Sequence, residues 1–301
     1  MSEEIRVSNI GELMAAIMEL DNGETMWYRG HGNRSWSTIP SVQRYDGYCQ
    51  GLERQLVNRF RIRAAQILEN APAKDDYSAW MSLMQHYGLA TRLMDWSKSP
   101  LIAAYFATEK DEMRANGNGY ANACIWILWP STLNQDQIQT PYIYPMDSTT
   151  VEEMLAKAFK SQPEGETQGY DRSRYIQNER FFQRGRGRMY DTGEFQPRGY
   201  EKIVACEPVE HNLRMYSQQA CFTVHDTIEK GNNKTVPNLK DISDRLMESN
   251  IRVTSRVIIP HSAKETFRKE LAMLGITKSF IYPDMDHLST DIKGNLLKLG
   301  R

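Results

Sequence analysis

The stretch at residues 83–107, LMQHYGLATRLMDWSKSPLIAAYFA, constrains this chain most, because it sets a polar loop between two apolar segments and gathers the unusual side chains inside that loop. Its second half predicts a buried helix. Ser99 stands at the N-cap position and Pro100 at the first helical position, where a missing N–H costs nothing, and an apolar run to Ala107 follows. The free N–H groups of that first turn suit an anionic group, and Ser97, Lys98 and Ser99 lie in front of them. The first half ends in Gln85-His86-Tyr87-Gly88: an amide, an imidazole and an aromatic ring before a glycine that can turn the chain. A capped helix after a polar turn accounts for the serine and the proline. It leaves the amide, the imidazole and the ring without a reason, so the loop also reads as a site.

At 301 residues, with 40% hydrophobic and 10% aromatic content, the chain has apolar material for one large domain or two ordinary ones. A formal net charge of −1 excludes a globally basic nucleic-acid binder and leaves a local basic stripe open. Cys49, Cys124, Cys206 and Cys221 are scattered without a CxxC pair, which points to buried thiols in a reducing compartment and away from a zinc site or a disulfide framework. Acidic residues and an amphipathic period at the N-terminus argue against a signal peptide, and no apolar run approaches the ~18 residues of a membrane span. The expectation is a cytoplasmic protein with no membrane partner and no metal.

A helix is predicted from Ser8, with Leu13, Ile17, Met18 and Leu20 on one face, so that residues 1–23 read as an N-terminal docking helix. Residues 25–31 (TMWYRGH) predict a short aromatic strand that ends in Arg29, Gly30 and His31; Arg29 there either meets an anion or is solvated. A second helix is expected at 51–70, its arginines forming a wet face with their stems on the core. Residues 121–129 (ANACIWILW) predict a central buried strand. Residues 141–190 change character and read as an arginine-aromatic insertion, with Arg184, Arg186 and Arg188 near Phe181, Phe182 and Tyr190. Arginines grip phosphates and rings stack bases, so this composition fits a single-stranded nucleic-acid surface as well as a solvated loop or a docking helix. Strands are expected at 202–206, 220–225 and 251–259, with Arg214, Ser217, Gln218 and Gln219 gathered before the second. A capping box at Ser262 and Glu265 predicts a helix that stops at Gly275, and 278–282 predicts one more short strand. Asp284, Asp286 and His287 then form a turn whose spacing suits a metal poorly.

Taken together, Tyr28-Arg29-Gly30, Pro40-Ser41, Gln85-His86-Tyr87-Gly88, Thr91-Arg92-Leu93-x-Asp95-Trp96, Ser99-Pro100 and Ala104-Tyr105-Phe106-Ala107 resemble the FRG domain of bacterial and phage-associated proteins. The resemblance is close over residues 27–129. It resumes at Arg214-x-x-x-Gln218-x-x-x-Phe222-Thr223 and at 276–288, and it does not extend to residues 141–190. Ala90 stands where that family usually has proline, and Tyr28 where it has phenylalanine. The order of the motifs is similar, at greater distance, to that of ADP-ribosyltransferases.

That second resemblance implies an α+β fold, with mixed, mainly antiparallel sheets and flanking helices forming a split sandwich around an NAD cleft, and a single domain over residues 1–301. NAD is implied as substrate. Arg29 would hold its pyrophosphate or ribose with Gly30 and His31 alongside, Ser97 and Ser99 would brace the nicotinamide ribose and Arg29, and Tyr87 and Trp96 would wall the nicotinamide. Gln218 would take the place of a catalytic glutamate, with Gln219 as the alternative; glutamine keeps a hydrogen-bond acceptor and loses the charge that stabilises an oxocarbenium-like transition state. His86 reads as a ribose ligand, a general base or a satisfied structural histidine. Asp95 and Arg92 read as an ion pair that shapes the loop. The implied activity is a toxin or phage-defence effector that moves ADP-ribose from NAD to a macromolecule, with RNA or DNA favoured over protein and a neutralising antitoxin as partner. The alternatives are NAD hydrolysis and a non-catalytic nucleic-acid or nucleotide-binding module.

Overall fold

Residues 123–128 are apolar without alternation because they run through the middle of a sheet covered on both sides, and every residue of this strand, β4 (Ala123–Leu128), is buried. The computed structural model describes residues 4–45, 48, 50–159, 202–209, 213–226, 228–230, 233–235 and 238–298. In it β4 is flanked by two antiparallel neighbours, β2 (Trp27–His31) and β10 (Thr254–Ile259). The sheet is completed by β1 (Ile5–Arg6), β3 (Leu93–Ser97), β5 (Tyr144–Pro145), β6 (Ile203–Glu207) and β7 (Ala220–His225). The order of its eight strands is β1-β10-β4-β2-β3-β7-β6-β5, with parallel pairs only at the two edges. A two-stranded ribbon, β8 (Ile228–Lys230) and β9 (Asn233–Thr235), stands apart. The α+β class with a mixed, mainly antiparallel sheet is therefore as expected.

One side of the sheet carries two separate helical packs. The first is α1 (Ile10–Leu20), α4 (Pro100–Thr108) and α9 (Lys264–Met273), lying over Tyr28, Ile125, Ile127, Val257 and Ile259. The second is α2 (Gln50–Ala64), α3 (Tyr77–His86) and α6 (Thr149–Ala156), lying over Leu93, Val204, Phe222 and Val224. Tyr28 stands opposite Ser97, so alternation puts Ser97, Asp95 and Leu93 on this same side, between the packs. The reverse side packs Trp27, Met94, Trp96, Trp126 and Leu128 beneath α5 (Pro130–Ile138) and α8 (Leu239–Met247). Three helices remain: α7 (Leu213–Ser217), α10 (Lys278–Ile281) and α11 (Met285–Lys298).

The small residues of α4 have a packing reason. A Cβ on Gly30 would lie 1.9 Å from the Ala103 carbonyl oxygen and 2.6 Å from the Ala107 nitrogen, so the helix crosses β2 at a distance that only glycine permits. Ser99 occupies the N-cap position and Pro100 the first turn, as predicted, although the Ser99 hydroxyl makes no capping bond.

Three local expectations are corrected. The cap of α1 is Asn9 and not Ser8: the Asn9 Oδ1 accepts the Glu12 N–H at 2.8 Å, and Glu12 reaches back to the Ser8 N–H at 2.7 Å. Ser262 and Glu265 form no capping box, because a 3-10 turn at His261–Ala263 runs directly into α9. Residues 278–281 are helical and not a strand. The Thr277 hydroxyl accepts the Phe280 N–H at 3.4 Å and Asp291, twelve positions on, accepts the Ser279 N–H at 2.7 Å, and these two caps override the β preference of Phe280 and Ile281.

Cys124, Cys206 and Cys221 are buried free thiols whose pKa burial pushes up, and Cys49 lies outside the described residues. Asp284 caps its own turn, accepting the His287 N–H at 2.9 Å and lying 2.7 Å from the His287 Nδ1. Among the described residues no group of three or more His, Cys, Asp or Glu side chains is placed to hold a metal ion, and no helix is long and apolar enough to cross a membrane.

Candidate functional site at the seam between two strands

β2 pairs with β4 over five residues and β3 with β7 over five, but β2 and β3 share a single register pair, Tyr28 opposite Ser97. Below that pair the sheet opens into a seam, and Arg29 fills it. Its Nη1 donates to the Asp95 carbonyl at 2.5 Å and lies 3.7 Å from the Asp95 carboxylate, while its Nε donates to the His31 Nε2 at 3.1 Å. The guanidinium thus bridges the strands where ladder bonds stop. Burial and the neighbouring Arg44 press the Arg29 pKa down and Asp95 opposes them; an arginine remains charged under such pressure. His31, accepting at Nε2, carries its proton on Nδ1. Burial first, then Arg29 and Arg44, push its pKa down to about 3, so the imidazole is neutral.

From Asp95 the hydrogen bonds run on through Gln85 and Thr91 to Ser41. Gln85 Nε2 donates to both Asp95 carboxylate oxygens at 2.9 Å, and the Thr91 hydroxyl donates in turn to Gln85 Oε1. The Thr91 N–H donates to the Ser41 hydroxyl oxygen at 3.2 Å, and the Thr91 carbonyl accepts the Val42 N–H, also at 3.2 Å. Ser41, Thr91, Gln85, Asp95 and Arg29 therefore form one chain of contacts. The Asp95 side chain is 53% exposed, so the carboxylate stands open between the two helical packs.

The far wall of the seam is built around Ser97. Its hydroxyl donates to the Gln218 carbonyl at 2.7 Å and accepts the Ser99 N–H at 3.0 Å, and the adjacent Lys98 N–H donates to the Gln219 carbonyl at 3.0 Å. Gln219 has φ +46°, the left-handed turn that carries the chain from α7 into β7. The Gln218 amide donates to the Ile281 carbonyl at 3.1 Å. Arg214 lies over the Tyr282 ring at 5.0 Å and donates to the His86 carbonyl at 3.4 Å. Asp95 and Ser97 are two strand positions apart, about 7 Å, and Arg29 contacts the first while the Gln218 backbone contacts the second.

The other expected site residues fall in different places. Ser99 meets the seam through its N–H, and Gly30 faces α4 on the side away from His31. Trp96 turns to the reverse side, 3% exposed, where its Nε1 donates to the Thr223 hydroxyl at 3.0 Å; its ring belongs to the core. Tyr87 is 64% exposed and meets the His86 ring edge-on at 5.0 Å, and burial with Arg214 lowers the His86 pKa. Arg184, Arg186 and Arg188 lie outside the described residues.

Arg92 does not pair with Asp95. It is fully buried and grips Glu53 with Nε and Nη2 at 2.8 and 2.7 Å, while the Tyr48 hydroxyl donates to Glu53 at 2.9 Å. Arg44 is the member that the sequence reading missed. Its charge acts on Asp95 and His31, and nothing in its local pattern sets it apart from other surface arginines. Two open cavities of about 450 Å³ each lie elsewhere: one is lined by Asn33, Arg34 and Arg114, the other by Arg61, Tyr77 and Phe159.

A mixed α+β sheet opened by a polar seam thus defines the architecture, and residues 24–116 match the FRG domain. That span holds Arg29, Ser41, Gln85, Thr91, Asp95, Ser97 and Ser99; Arg214, Gln218 and residues 276–288 lie beyond it. No match was found among curated proteins or among solved structures.

Proposed function

We propose that this chain is a toxin-like NAD-dependent ADP-ribosyltransferase whose donor site is the seam around Arg29 and whose acceptor is a nucleic acid. The observation that carries the reading is the neighbour order β2-β3-β7. The arginine strand, the serine strand and the strand that follows Gln218 lie side by side, as a dinucleotide spanning all three would require. Arg29 and Arg44 outnumber the one carboxylate between them and supply an anion clamp for a pyrophosphate. We read the start of α4, braced by Ser97, as the place for a ribose or phosphate oxygen, and exposed Tyr87 as a face for an aromatic ring.

Transfer breaks the bond between the nicotinamide nitrogen and ribose C1′. The electron pair leaves with neutral nicotinamide, C1′ becomes oxocarbenium-like, and an acceptor oxygen or nitrogen forms the new bond and releases its proton. The protein's part is orientation and charge stabilisation. Nucleic acid is favoured as acceptor by the arginine-aromatic composition around Arg184, Arg186 and Arg188. NAD hydrolysis uses the same donor site with water as acceptor. A non-catalytic nucleotide-binding module in the same seam is favoured by one feature, the neutral Gln218 amide engaged with the Ile281 carbonyl.

The test is purified protein with NAD labelled in the adenylate, incubated with RNA, DNA or protein, beside Arg29→Ala. Transfer predicts nicotinamide release with label on nucleic acid. Hydrolysis gives free ADP-ribose, and a binding module gives Arg29-dependent NAD affinity without nicotinamide release. A toxin acting in the cytoplasm also needs a neutralising antitoxin, and expression of the chain alone without growth arrest would count against that role.

A further inference from the structure

We infer that Asp95, and not Gln218, supplies the negative charge that stabilises the ribose cation. The inference rests on the donor-site reading above. The Gln218 side chain cannot bring a charge, its amide is committed to the Ile281 carbonyl, and it lies outside the matched domain. Asp95 lies inside that domain, on the same side of β3 as Ser97 and between the two helical packs.

Its geometry is that of an aimed and available carboxylate. The Gln85 amide donates to both oxygens at 2.9 Å and is itself held by the Thr91 hydroxyl, so the plane of the carboxylate is set from behind. Arg29 Nη1 donates to the Asp95 carbonyl and is ion-paired with the carboxylate at 3.7 Å, beyond hydrogen-bond length. Each carboxylate oxygen accepts more than one hydrogen bond, so acceptor capacity remains on a side chain that is half exposed. With Arg29 and Arg44 engaged by the pyrophosphate, Asp95 faces the neighbouring ribose. There it accepts from a ribose hydroxyl and opposes the positive charge on C1′ as the nicotinamide leaves with its electron pair. The acceptor then bonds C1′ and loses its proton to solvent.

The test compares full-length wild type with Asp95→Asn, Asp95→Glu, Gln218→Ala and Arg29→Ala. It reads NAD affinity by calorimetry and nicotinamide release under single turnover. Asp95→Asn keeps an oxygen and should bind NAD within about fivefold of wild type while losing roughly 10²–10³ in rate. Asp95→Glu should recover part of that loss, and Gln218→Ala should cost less than Asp95→Asn. A merely structural Asp95 would lower affinity as Arg29→Ala does and leave the single-turnover rate standing, which overturns the inference. So does an Asp95→Asn rate within about threefold of wild type, and in that case the donor-site reading survives. If wild type releases no nicotinamide with water, nucleic acid or protein, the donor-site reading itself fails and the inference falls with it.

Discussion

The Ser97 hydroxyl donates to the Gln218 carbonyl across 2.7 Å, joining residues 121 positions apart. The same oxygen accepts the Ser99 N–H, so one side chain fixes the end of β3, the start of α4 and the turn into β7. Ser97→Ala leaves a carbonyl and an N–H without their partner in a part-buried place. We expect a loss of about 1–3 kcal/mol in urea unfolding, with the midpoint lowered and the slope unchanged.

Gly30→Ala should be worse than an ordinary overpacking change. The new methyl meets the backbone of α4, at the Ala103 carbonyl and the Ala107 nitrogen, and backbone cannot rotate away. The expected cost is about 3 kcal/mol or more. Ala103→Gly added to it should not rescue stability, because no side chain is in the way; thermal or urea unfolding of the single and double variants checks this.

Arg92 and Glu53 form a fully buried bidentate pair. Removing one partner strands the other charge in the core, so Glu53→Leu or Arg92→Met should each cost about 3–5 kcal/mol. The double replacement Glu53→Leu with Arg92→Met should cost less than the sum of the singles. Urea denaturation of the four proteins gives the coupling directly.

His31 contributes to the acid side of the stability curve. Its folded pKa is pushed down to about 3 from an ordinary 6.5, so between those values the unfolded chain binds the extra proton. The stability it contributes is complete above about pH 6.5 and is lost as pH falls toward about 3, at up to about 1.4 kcal/mol per pH unit. His31→Gln should flatten that limb in unfolding measurements across the range, whatever it does to stability at neutral pH.

Legibility from sequence varied by the reach of the interaction. The apolar run of β4, the Ser99-Pro100 start of α4 and the aromatic strand ending in Arg29 are set by neighbours a few positions away, and each formed where it was expected. The strand expected at 278–282 failed because Asp291, more than ten positions on, caps a helix there. Trp96 and Arg92 were read as loop residues of a site, but alternation along β3 buries Trp96 on the reverse side, and α2 brings Glu53 to Arg92.

By itself the sequence determined which side chains were available: an arginine after an aromatic pair, a serine-proline helix start, an aspartate beside a tryptophan, and a set of amides and hydroxyls with no local work to do. Tertiary structure alone decided that β2 and β3 meet at one pair, that Arg29 crosses the opening to the Asp95 backbone, and that Gln85, Thr91 and Ser41 line up behind the carboxylate. The reason is that spacing along a chain sets caps and periods, whereas the partner of a polar group depends on which strands become neighbours and in what register, and burial of the apolar faces of the whole sheet fixes both.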